Sequence, residues 1–65
     1  MEQVVFQLTV KEAAMALRLS VAKVYKMMDA KELAFVKLGK SRRIRIVDLE
    51  DLVRRNLQLA EPHVN

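Results

Sequence analysis

The chain has 65 residues, no cysteine, a single histidine and a net charge of +4, with apolar residues making up 52% of it. A body of this size is one domain that buries only about 60% of the surface its unfolded form exposes; without cysteine, and with His63 alone, it has neither a disulfide framework nor a recognisable set of zinc ligands. Each apolar stretch is short and broken by charge, far from the ~20 residues that span a bilayer, and no signal-peptide layout precedes the fold, so a cytoplasmic protein without membrane, metal or cofactor is expected.

Residues 1–7 read as a flexible N-terminus or a short strand, because Val4, Val5 and Phe6 form a brief apolar run without helical spacing. The folded domain is expected over residues 8–59. Thr9-Val10-Lys11-Glu12 has the form of a capping box, in which the threonine hydroxyl accepts from the Glu12 backbone N–H and the Glu12 carboxylate accepts from the Thr9 N–H. The helix it opens puts Ala13, Ala14 and Leu17 on one face, where the small alanines let a second helix come close, and it stops near Arg18. Leu19-Ser20 makes the turn, with Ser20 as N-cap of the second helix and Leu19 set to staple onto Val24. A connection of about three residues with a cap inside it predicts the tight corner of a helix-turn-helix. In the second helix Val21, Val24, Tyr25 and Met28 follow the i, i+3, i+4, i+7 spacing of a core stripe, with Met27 and Met28 as filler, and Ala22, Lys23 and Lys26 fall on the opposite side.

After Glu32 the periodicity changes. Leu33 to Leu38 and Arg42 to Ile46 are two short stretches joined by Gly39-Lys40-Ser41, and the only glycine of the chain stands where a hairpin needs a positive φ. Strict alternation turns Ile44 and Ile46 to the core and puts Arg43 and Arg45 together on the outer face. Asp48 is expected to cap a last helix from Leu49 to about Leu59, with Glu50 and Asp51 in its first turn and Arg54 and Arg55 further on, as the helix dipole favours. Leu49, Leu52, Val53 and Leu57 would supply its packing face, and Val47 would staple to Leu52. Residues 60–65 are expected to form a disordered tail, since Pro62 cannot continue the helix. The fold class is therefore mainly α with a small β-hairpin: two helices around a tight turn, a two-stranded wing and a C-terminal helix.

Charge is concentrated in the middle of this layout. From Lys11 to Arg45 there are ten Lys/Arg against three acids, a net +7, whereas from Ile46 onward the balance is −2. Such a surface favours a polyanion, because each neutralised phosphate releases condensed counterions, although a solvated basic face has the same composition. Like charges crowded on one hairpin repel and add nothing to folding, which favours a partner that neutralises Lys40, Arg42, Arg43 and Arg45. Arg43 and Arg45 are the foremost candidates for phosphate or minor-groove contact, since guanidinium forks match phosphate oxygens. No serine has a base at readable spacing, so no catalysis is expected. Three aromatic residues, Phe6, Tyr25 and Phe35, are too few for recognition of single strands by stacking.

The run Leu8-Thr9-Val10-Lys11-Glu12-Ala13-Ala14, then Leu19-Ser20, Val24-Tyr25-Lys26, Glu32-Leu33, Val36-Lys37-Leu38-Gly39, Arg43-Ile44 and Asp48-Leu49 resembles the excisionase-like winged helix-turn-helix family, related to the DNA-binding heads of MerR-type regulators. The resemblance implies a binder of double-stranded DNA that works through its second helix and its wing. It assigns base and phosphate contacts to Val21, Ala22, Lys23 and Lys26, and backbone or minor-groove contacts to Lys37, Lys40, Ser41, Arg42 and Arg43. It further implies an accessory factor that acts beside an integrase or other recombinase, several copies associating cooperatively along the DNA; a small transcription regulator of the MerR-like or AlpA-like kind and a protein-interaction adapter are the alternatives. The family usually has glycine where this chain has Lys31, proline where it has Ala34, and often an aromatic residue where it has Arg42. The first two changes imply a differently built or strained corner, and the third a stronger grip rather than a stronger core.

Overall fold

The structure, a computed structural model, describes residues 6–59. The expected tail and all but the end of the expected N-terminal segment lie outside the described residues. A strand β1 (Gln7–Thr9) leads directly into helix α1 (Val10–Leu17), a three-residue turn and helix α2 (Val21–Asp29). The hairpin β2 (Val36–Leu38) and β3 (Ser41–Arg45) follows, and helix α3 (Ile46–Arg55) ends the domain. The architecture is a winged helix-turn-helix whose sheet has three strands where a two-stranded wing is expected: β1 pairs with β3, giving an antiparallel sheet in the order β1-β3-β2. Leu8 pairs with Ile44 and Thr9 with Arg43, and the Ile46 N–H donates to the Phe6 carbonyl at 3.3 Å.

Local chemistry accounts for most of the boundaries. The capping box at Thr9 forms in full: the Thr9 N–H donates to Glu12 Oε1 at 2.8 Å and the Glu12 N–H to Thr9 Oγ1 at 3.0 Å. Ser20 caps α2 by accepting from the Lys23 N–H at 3.1 Å. Both helices end in the same way, with a left-handed residue and a pair of Schellman hydrogen bonds. In α1 these run from Leu19 N–H to Ala14 O and from Arg18 N–H to Met15 O, with Arg18 at φ 57°. In α2 they run from Glu32 N–H to Met27 O and from Lys31 N–H to Met28 O, with Lys31 at φ 62°. Glycine adopts that conformation without cost, whereas a residue with a Cβ loses about 1–2 kcal/mol there, so the Lys31 corner is indeed strained and the turn itself keeps its usual geometry. At the hairpin tip Leu38 faces Ser41 across a two-residue loop in which Gly39 alone has a positive φ, 63°, the φ pattern of a type II′ turn.

The core gathers Val10, Ala13, Ala14, Val24, Met27, Met28, Leu33, Ile44 and Leu52, with Leu8, Leu17, Phe35 and Leu49 packed against it. Ala13 and Ala14 are sealed where α1 meets α2, as their size predicts. The stripe on α2 is Val24, Met27 and Met28; Val21 and Tyr25 are each 41% exposed, so they are not core residues and Met27 takes their place. That rotation turns α2 toward Leu33, which is buried in the corner after the helix instead of belonging to a strand. The C-terminal helix also departs from expectation. It begins at Ile46 and ends at Arg55, Arg45 occupies the cap position, and Asp48 lies inside the first turn, where its carboxylate takes two hydrogen bonds from Arg45. Ile46 and Val47 are consequently helical and exposed, so Ile46 does not face the core and Val47 makes no staple. Leu52 is buried and Leu49 packs at the core edge, but Val53 and Leu57 are exposed and contribute no packing face.

Candidate nucleic-acid interface

With Val24, Met27 and Met28 turned inward, helical geometry turns Ala22, Lys26 and Asp29 outward at i, i+4 and i+7. Lys26 is thus central on the free face of α2, and Ser20 fixes the position of that helix's N-terminal turn. Lys23 is exposed but lies on one flank, against a shallow apolar groove that includes Leu17, Leu19, Met27 and Leu52. Val21 and Tyr25 lie on the other flank, where the wing begins.

Register divides the wing residues between two faces of the sheet. Arg42 shares a face with Ile44 by alternation and with Lys37 by direct pairing, so Lys37 and Arg42 stand on the side that meets α2. Arg43, paired with Val36 on one side and Thr9 on the other, lies on the outer face with Ser41 and Arg45, as the alternation predicts. Lys40 occupies the tip. The sheet therefore carries cations on both faces and at the turn between them.

The intramolecular partners separate these cations into two kinds. Among the described residues there are four ion pairs, and every cation in them is an arginine: Arg42 with Asp29 at 3.2 Å, Arg45 with Asp48 at 2.6 Å, and Arg54 and Arg55 with Asp51 at 3.2 and 2.7 Å. Arg45 makes a two-pronged contact, and the hydrogen bond with Asp48 raises its pKa further above the usual arginine value. Arg55 also donates to the Glu32 carbonyl at 2.9 Å, fastening α3 to the corner beyond α2. No ion pair among the described residues involves Lys23, Lys26, Lys37, Lys40 or Arg43. Glu12 is held below the ordinary carboxylate range first by the Thr9 backbone and then by the Thr9 side chain, with the charge of Arg43 a smaller contribution.

Arg42 has a second attachment that periodicity alone did not reveal. Its guanidinium carbon lies 4.5 Å from the centre of the Phe35 ring and 5.3 Å from that of Tyr25, within cation–π range of both. Together with the Asp29 contact this makes Arg42 a strut between the outward end of α2 and the hairpin. Arg42 therefore serves the core edge as well as the charge. The signal was present in the sequence only as an unpaired Asp29 and two aromatic residues, without the long-range geometry that joins them.

Among the described residues no group of three or more His, Cys, Asp or Glu is placed to hold a metal ion, and no helix is long and apolar enough to cross a membrane. A protein-family model described as a helix-turn-helix domain matches residues 8–57. Comparison with curated proteins gives no match, and neither does comparison with solved structures.

Proposed function

The chain belongs to the helix-turn-helix domain family, a family of excisionase- and AlpA-like DNA-binding domains, and from that premise we propose that it is a sequence-specific duplex-binding accessory factor of the excisionase type. α2 lies in the major groove with Lys26 at the centre of its contact and Ala22 close to the base edges, while Val21 and Lys23 touch the flanks. Lys37, Lys40, Ser41 and Arg42 of the wing take the adjacent backbone or minor groove, and Arg43 reaches phosphates from the outer face. Arg45 joins them only if duplex phosphate displaces Asp48. The observation that carries the reading is the set of five cations without an intramolecular ion pair on α2 and the wing, beside arginines that are paired.

In this role the protein performs no chemistry. It binds beside recombination sites, bends or organises the duplex, and biases an integrase toward excision, with neighbouring copies adding cooperativity and shape adding specificity. A gel-shift titration tests the binding itself: contacts from the five unpaired cations give a log–log salt slope of roughly −4 to −5, and a flat salt response marks a protein-interaction adapter instead. The family also covers AlpA-like domains, so a small transcription regulator is the second reading. Footprinting on the DNA that flanks its own gene separates the two. Repeated protected sites beside a recombinase gene are expected; protection confined to a promoter overturns the recombination role.

A further inference from the structure

Asp29 is a residue that the stability of the fold explains only in part, through one exposed ion pair with Arg42, and such pairs add little. It is the last residue of α2, at the negative end of the helix dipole, where a carboxylate is disfavoured and a cation would be favourable. Its side chain is 69% exposed, and it stands on the same outward line as Ala22 and Lys26, about 10 Å along the helix from the former. In a region with ten cations and three acids, this acid is directed to the face that would otherwise attract any duplex. A residue that violates a local rule on a binding face points to function.

The geometry points to Asp29 as a specificity-determining residue for duplex recognition, an inference that rests on the DNA-binding reading above. Its carboxylate accepts hydrogen bonds and donates none. In the major groove it suits a base edge that presents an amino group, cytosine N4 or adenine N6, and it repels phosphates and the acceptor-only edge of guanine. Arg42 is the positioning residue: one N–H on Asp29 and two aromatic rings beneath the guanidinium hold the carboxylate and the wing in fixed relation. The same contact withholds part of the Arg42 charge from random DNA, so affinity for non-cognate duplex is lowered at both residues.

The test compares wild type, Asp29→Ala, Asp29→Glu and Arg42→Gln on two probes: a random-sequence duplex and the duplex that wild type selects from a randomised pool. For Asp29→Ala, which removes both the charge and the acceptor, the expected result is roughly tenfold tighter binding to the random duplex, with a salt slope steeper by about one, and loss of a donor-edge preference at one base pair of the selected site. Asp29→Glu keeps that preference, and Arg42→Gln weakens it without abolishing binding. Equal changes on both probes, or an unaltered base preference in Asp29→Ala, overturn the inference while leaving DNA binding intact. Failure of wild type to bind any duplex at low salt overturns the DNA-binding reading itself, and this inference with it.

Discussion

Two regions of the molecule use their arginines and lysines in opposite ways. From Arg45 through α3 each arginine has a carboxylate: Asp48 serves Arg45, and Asp51 serves both Arg54 and Arg55. On α2 and the hairpin, Lys23, Lys26, Lys37, Lys40 and Arg43 have none among the described residues. The first arrangement suits the planar, multiply donating guanidinium, which ties α3 to its neighbours. The second leaves compact ammonium charges in water, where they add little to folding and much to the attraction of a polyanion. Net charge already sets α3 apart from the binding surface, and pairing shows in addition that its cations have partners.

The largest disturbance removes the support common to both regions. Ile44 is wholly buried between Arg43 and Arg45, and Ile44→Ala is expected to cost about 2–5 kcal/mol against a total stability of roughly 3–10 kcal/mol for a domain of this length. Thermal unfolding followed by circular dichroism should show a chain largely unfolded or close to it at 37 °C. Next, the contrast itself is tested by Lys26→Ala, expected to weaken duplex binding roughly tenfold and leave the melting temperature unchanged. Asp51→Asn has the reverse signature, a lower melting temperature with no loss of duplex affinity. If both variants lose affinity alike, α3 belongs to the binding surface and the division fails.

Two smaller effects sharpen the account. Lys31→Gly relieves the left-handed corner at the end of α2 and, after the greater unfolded-state freedom of glycine is subtracted, should stabilise the protein by about 0.5–1 kcal/mol. A lower melting temperature would mean that the lysine side chain compensates its backbone strain. The least effect is that of pH. The pKa of Asp51 is lowered by its hydrogen bond to Arg55 above all, and that of Glu12 by the Thr9 backbone. A depressed folded pKa gives stability that is present above the unfolded value, near 4, and is lost as pH falls through the lower folded value. Melting temperature should decline across that acid window, and less so in Asp51→Asn.

What could be read from the chain was what local chemistry decides. Thr9 with Glu12, Ser20 and Gly39 each act within three residues, and all are where their side chains or backbone freedom predict. The stripe on α2 was less determinate because two sets fit a 3.6-residue repeat, Val21-Val24-Tyr25-Met28 and Val24-Met27-Met28, and only packing against Leu33 and Ile44 chooses between them. Asp48 is an apt cap by residue type, but its carboxylate is taken by Arg45, and the helix begins three residues earlier than expected. The candidate site followed the same division. Charge marked α2 and the hairpin, whereas the meeting of Arg42 with Asp29, Phe35 and Tyr25 depends on contacts across the fold that no spacing encodes.

The strand before α1 gives the hairpin a second attachment. Because β1 runs along β3 on the edge that β2 leaves open, the wing is not a cantilever fixed only at the start of α3. The three rungs of that ladder run from Gln7 beside Arg45 to Thr9 beside Arg43, so a displacement of β1 is carried along them to the hairpin.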